Sequence, residues 1–276
     1  MRYVELPPPA ALSHVIRCVW LLRGRAGAAA EPVVPDGRAE IIIHVGEPFS
    51  QVEGGVARRQ AALLVSGQLT RPLHLAPSRE PDVIGIRFRT AAARALLRAD
   101  LHELADRVMP LGEVRPRLAA ALEDAARRAG DPASRARAVA SVIGRAIRNV
   151  PAPAMARAVA LLDRSPVPVA EVAQALGLTR RTLERRFLAE VGLPPRTLWG
   201  VLRFRRAFRT LSRAPAGSWA RVAAECGYYD QAHMTREFKR FAGAPPSAFF
   251  TAAPTLAPAF LGGPDDGPAE AVSHSS

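Results

Sequence analysis

The 276-residue chain has a single lysine, Lys239, and two cysteines, Cys18 and Cys226. Two cysteines make neither a disulfide framework nor a four-cysteine zinc site, and they point to a reduced, cytoplasmic setting with ordinary buried thiols. No apolar run approaches the roughly 20 residues of a membrane span. The apolar stretch at 15–22 invites comparison with a signal peptide, but Glu5, Pro7 to Pro9, His14 and Arg17 interrupt that region, which argues against one. Acidic residues are scarce as well, 25 Asp+Glu against 38 Lys+Arg, for a net charge of +13. With 49% hydrophobic and 23% charged residues, the composition excludes collagen-like, fully disordered and multi-span membrane classes. The length suits about two domains.

The positive charge is almost all arginine. A guanidinium fork matches phosphates and base edges in a bidentate manner, so the excess suits a polyanionic partner. A GC-rich coding sequence would also enrich Ala, Arg, Pro and Gly, so the total alone does not identify that partner. Its placement is more informative: residues 151–250 carry 16 Lys+Arg against 7 Asp+Glu, residues 1–150 carry 22 against 15, and the remainder carries none against 3.

Short β-branched runs at 15–22, 39–45, 61–65 and 83–88 are separated by Pro35-Asp36-Gly37 and Gly54-Gly55, which is turn chemistry. They predict a small antiparallel sheet or barrel. From Ala91 the apolar period becomes helical, through 91–98, 117–129 and 134–148, with Asp131-Pro132 as a helix start. Residues 149–153, with two prolines, form the linker. Helices follow at 154–164, 169–176, 180–191, 196–211, 218–226 and 231–242, and residues 251–276 read as a disordered tail.

The chain also repeats itself. Ala173 and Gly177 match Ala223 and Gly227 at an offset of 50, whereas Leu183, Arg185, Phe187, Gly192, Pro194 and Pro195 match Met234, Arg236, Phe238, Gly243, Pro245 and Pro246 at 51. In each copy a small residue lets two helices approach, a glycine four residues later permits a left-handed turn, and apolar residues at i and i+4 pin the second helix inward. Thr179 and Asp230 stand where the second helices need N-caps. The repeat predicts two helix-turn-helix units.

With Leu183 and Phe187 inward, Arg181, Glu184, Arg185 and Leu188 turn outward. With Met234 and Phe238 inward, Gln231, Ala232, Thr235, Arg236 and Lys239 do so. Arg reads guanine, Gln reads adenine, Glu accepts from cytosine and Thr touches the thymine methyl. One such pattern is a weak sign and equally fits a solvated helical hairpin. A duplicate inside the most basic segment points to double-stranded DNA.

Residues 154–250 resemble the C-terminal domain of AraC/XylS-type transcription regulators. The likeness is carried by Gly227-Tyr228-Tyr229-Asp230-Gln231-Ala232-His233-Met234-Thr235-Arg236-Glu237-Phe238-Lys239-Arg240-Phe241 with Gly243 and Pro246, and by residues 169–173 and 183–187 in the first copy. The resemblance implies seven helices in two helix-turn-helix subdomains, bridged by a long helix over 196–211 that carries Arg203, Arg205, Arg206 and Arg209. It places base reading on Arg181, Glu184, Arg185, Gln231, Ala232, Thr235 and Arg236, with Ala232 short for that task. It places phosphate contacts on Arg180, Arg186, Arg206, Arg221, Lys239 and Arg240. His233 has the alternative of a packed or capping histidine. Promoter DNA is the implied partner, with RNA polymerase added in an activator and a homodimer among the implied assemblies.

Residues 1–150 resemble, less specifically, a domain that precedes such units in bacterial regulators, through Trp20, Pro35-Asp36-Gly37, residues 41–44, Gly67-Gln68-Leu69-Thr70 and Gly85-Ile86-Arg87-Phe88. In the wider family this region is a cupin-like barrel that binds a small effector or dimerises. The expected class is therefore α+β: a mostly-β N-terminal domain with a helical connector over 1–150, and an all-α domain over 151–250. No cofactor, metal or catalytic residue is expected. His44, Glu47 and His74 lack the paired histidines of a cupin metal site, Cys18 reads as core, and Asp36 and Arg87 read as a turn residue and a structural ion partner.

Overall fold

The structure, a computed structural model, describes residues 1–27, 29–128, 130–147, 155–164, 167–213, 219–252, 254 and 256. The linker expected at 149–153 and most of the expected tail lie outside these. The amino-terminal half runs through β1 (Arg2–Leu6), β2 (Ile16–Arg23), β3 (Glu31–Val33), β4 (Glu40–His44), β5 (Ser50–Glu53), β6 (Val56–Arg59), β7 (Leu63–Ser66), β8 (Leu73–Ala76) and β9 (Asp82–Phe88). Then come α1 (Ala93–Leu97), β10 (Val108–Pro110), α2 (Leu111–Val114), α3 (Pro116–Arg128) and α4 (Pro132–Ala146).

The strands make two sheets with antiparallel pairing, one in the order β1-β2-β9-β4-β7-β10 and one in the order β3-β8-β5-β6. Strand periodicity sorts the larger sheet into two faces. Val19, Ile41, Ile43, Ile84, Ile86 and Phe88 pack beneath α1, α3 and α4, while Cys18, Trp20, Leu22 and Val83 face the second sheet with Phe49 and Leu75. Trp20 pairs in register with Gly85, and a Cβ there would lie 1.9 Å from the indole, so only glycine admits the ring. Asp131 caps α4 by accepting from the Ser134 amide at 2.9 Å, with Pro132 in the first turn.

The carboxyl-terminal half is helical: α5 (Ala156–Arg164), α6 (Val169–Ala175), α7 (Arg180–Val191), α8 (Pro195–Leu211), α9 (Trp219–Glu225), α10 (Gln231–Ala242) and α11 (Pro246–Thr251). The whole is α+β, mostly β before the helical connector and all-α after it. Phe204 and Phe208 of α8 meet Phe238 and Phe241 of α10 and Phe249 of α11, forming a buried aromatic core. No helix among the described residues is long and apolar enough to cross a membrane.

The halves are not independent. Val34 and Ala91 belong to the core of the helical half. The Gly37 turn lies against α8, where an added Cβ would sit 3.2 Å from Leu198 Cδ1. Gln68, almost fully buried, donates to the carbonyl of Val191 at 2.6 Å, across the boundary at the end of α7.

Candidate nucleic-acid interface

Both helical pairs are built from the same local parts. Gly177 and Gly227 hold the turns at φ +66° and +76°, where an L side chain is strained. Thr179 Oγ1 accepts from the Thr182 amide at 3.2 Å and Asp230 Oδ1 from the His233 amide at 2.6 Å, so α7 and α10 each start on a side-chain cap. Gly192 and Gly243 end the two helices in the left-handed conformation. Between them, Leu183 with Phe187 and Met234 with Phe238 are fully buried, and Ala173 and Ala223 bring α6 and α9 close.

The opposite faces meet solvent. Arg181, Arg185, Gln231, Ala232 and Arg236 are exposed, with Glu184 and Thr235 half-buried. The arginines divide by their partners. Arg180 pairs with Glu184 at 2.9 Å, Arg186 with Glu190 at 3.3 Å and Arg221 with Glu225 at 2.7 Å, each one helical turn along. Arg181, Arg185 and Arg236 form no ion pair among the described residues. Lys239 is exposed at the end of α10, and Arg240 lies over the Phe241 ring.

On α8 the arginines do not form one solvent-facing row. Arg203 is buried, sandwiched against Trp199 at 4.1 Å and Tyr228 at 4.3 Å, and gives two hydrogen bonds to the Glu237 carboxylate, one at 3.1 Å. Arg205, also buried, reaches Asp163 at 3.5 Å and the carbonyl of Asp36 at 3.3 Å. Arg206 donates to the carbonyl of Asp163 at 3.0 Å from a half-buried position. At least three of the four thus bond to other elements of the protein, two of them from buried positions. Burial and the neighbouring Glu237 push the Tyr228 hydroxyl well above its usual pKa, so it stays a donor to that carboxylate. His233 packs edge-on against Tyr228 at 5.4 Å.

Sequence reasoning gave no role to Glu237 or Tyr229 and took Arg203 only as one of a basic row. Arg203 and Glu237 fasten α10 to α8, a pairing across 34 positions that no local pattern reveals. Tyr229, 93% exposed just ahead of the Asp230 cap, is a large aromatic with nothing to cover it. Its signal was an aromatic at the end of a turn where polar residues are the rule.

In the amino-terminal half, Arg87 is fully buried and bonded to Glu40 at 2.5 Å and Glu5 at 3.1 Å, with Asp36 at 3.6 Å. Beside it lies a cavity of about 50 Å³ lined by residues including Asp36, Arg38, Glu40, Ile42 and Gln60. His44 is bonded to Gln60 at 3.2 Å and packed on Phe49, and burial lowers its pKa to about 4. Glu47 pairs instead with Arg59, and His74 is exposed. Burial pushes the Cys18 thiol up to about 12, well away from nucleophilic use.

Residues 172–252 match a family model described as a helix-turn-helix domain. The carboxyl-terminal half therefore carries a helix-turn-helix domain. Residues 4–110 match a second model, described as a domain of unknown function (DUF6597). None of the curated proteins matches the chain. Among solved structures it is similar to a transcriptional regulator with an AraC-type DNA-binding domain from Chromobacterium violaceum, at 24% identity over 36% of this chain and 90% of that one, with a TM-score of 0.33. It is also similar to ToxT from Vibrio cholerae O395, at 11% identity over 84% and 96%, with a TM-score of 0.45. A further match is unsaturated fatty acid-bound ToxT from Vibrio cholerae strain SCE256, at 14% identity over 85% and 93%, with a TM-score of 0.43.

Proposed function

We propose that this chain is a transcription regulator of the AraC type that recognises a specific promoter sequence by laying α7 and α10 into two successive major-groove segments. The observation that carries the reading is the duplicated recognition unit: two capped helices whose inner faces are fully buried and whose outer faces present unpaired arginines. The 17 residues of α8 span about 25 Å, a strut of the length that sets two helices near one turn of duplex apart, about 34 Å. Arg181, Glu184 and Arg185 of the first unit, and Gln231, Ala232, Thr235 and Arg236 of the second, address base edges. Arg180, Arg186, Arg206, Arg221, Lys239 and Arg240 neutralise phosphate and supply most of the affinity.

Control by a small-molecule effector in the amino-terminal domain belongs to the same reading. A change in that domain has a direct path to the reader, because Gln68 holds the end of α7 and the Asp36-Gly37 turn lies on α8.

Footprinting on genomic fragments, with Arg185→Ala and Arg236→Ala in parallel, tests the reading. The expected result is a shared motif protected in two segments one turn apart, with each variant losing about 1 to 3 kcal/mol and the base preference of one segment. Uniform protection without a motif, or equal losses on specific and random DNA, overturns it.

A further inference from the structure

Helix α11 closes at Thr251, and beyond it Leu256 is completely buried. It is not buried in the helical domain. Its neighbours are Trp20, Leu22, Phe49, Leu75 and Val83, between the two sheets of the amino-terminal half. Its amide donates to Glu31 Oε2 on β3 at 2.8 Å, which fixes the backbone at the mouth of the sandwich.

Leu256 also sits next to usable space. Val33, Ile42, Leu73 and Leu75 pack around this cluster and line the small cavity that carries Glu40 and Arg87. The gap between the sheets is therefore apolar at the leucine and polar at its other end. At about 50 Å³ the cavity holds water but no metabolite while Leu256 stays in place.

We propose that the gap between the sheets is a binding site for a small branched-aliphatic or aromatic molecule with a polar end, and that Leu256 is its tethered internal occupant. The inference rests on the effector reading above and gives that effector a place and a chemical class. A ligand entering the gap displaces Leu256, and mass action makes the two exclusive. Because the displaced segment continues directly from α11, occupancy of the sandwich changes what restrains the second recognition unit.

Amide hydrogen exchange on the full-length protein, with anilinonaphthalene sulfonate as the apolar probe, tests this. The Leu256 amide is expected to exchange at least about tenfold more slowly than in an unstructured peptide, and to lose that protection when the probe is added. Leu256→Ala is expected to bind the probe about tenfold more tightly than the unaltered chain. Glu31→Ala, which removes the amide's acceptor and leaves the apolar lining intact, is expected to do the same and serves if Leu256→Ala fails to fold. Exchange of Leu256 at the unstructured rate, or equal probe affinity in all three proteins, overturns the proposal. A missing two-segment footprint overturns the promoter reading and leaves the exchange result standing, so the two failures are distinguishable.

Discussion

Replacing Glu237 by alanine leaves the Arg203 guanidinium between Trp199 and Tyr228 without a carboxylate. The two side chains are only 6% and 13% exposed, so solvent cannot take over the lost interaction. Breaking a buried pair from one side costs about 3 to 5 kcal/mol, because a desolvated charge remains without its partner. Tyr228 loses its acceptor at the same time. That is a large share of the roughly 5 to 15 kcal/mol that holds a domain folded, so Glu237→Ala is expected to shift the chemical-denaturation midpoint strongly. The joint replacement Arg203→Met with Glu237→Leu should recover most of the loss, since apolar residues of similar volume stand in well for buried ion pairs. Because Glu237 ties α10 to α8, the single variant should also lose protection of one DNA segment before the other. A loss under about 1 kcal/mol, the size typical of exposed pairs, or a double variant no better than the singles, would refute the reasoning.

Other expectations follow from single contacts. His44 has its pKa depressed to about 4 by burial, so its contribution to stability is complete above the unfolded value near 6.5. It is lost as pH falls from 6.5 to 4, by about 3 kcal/mol, and denaturation midpoints across that range should flatten in His44→Leu; an unchanged slope would count against the buried neutral ring. Gly192→Ala places a Cβ 2.9 Å from the Leu101 carbonyl at φ +95°, whereas Gly177→Ala, at φ +66°, meets nothing within 4 Å. Both incur about 1 to 2 kcal/mol of left-handed strain, so a greater loss at Gly192 measures the contact between the halves, and equal losses would deny it. Tyr229→Ala should leave stability within about 0.5 kcal/mol and weaken DNA binding by about 1 kcal/mol through a lost hydroxyl contact, as measured by the dissociation constant. An unchanged constant would remove Tyr229 from the interface.

How much of this could be read beforehand depended on the range of the interactions. The helical units were legible because a glycine, a cap and an apolar pair at i and i+4 act within a dozen residues, as from Gly227 through Asp230 to Phe238. The central strands β2, β4, β7 and β9 were legible from their β-branched runs. Of the strands not anticipated, β3 is an edge strand of three residues with a proline in it, and β6 is fully exposed, so neither carries an apolar pattern. Helix α11 begins on Pro246, which the sequence offered as the repeat partner of Pro195 and the fold uses as a first helical turn. The four arginines of α8 look alike in sequence. Asp163, Glu237 and Asp36, all distant in the chain, hold Arg203 and Arg205 inside the protein. Leu256 had no local signal, because the residues of its cluster all lie far back in the amino-terminal half, as does Glu31, 225 positions away.

The Gln68 hydrogen bond to Val191 bears on how chains of this architecture are recombined. A chimera cut between the two halves would keep each half whole yet leave the end of α7 without the amide that holds it. Exchanging amino-terminal halves between such chains therefore means transplanting a matched docking face, with Gln68, the Asp36-Gly37 turn and Gly192 carried as one unit, so that the joint to preserve lies in space and not along the chain.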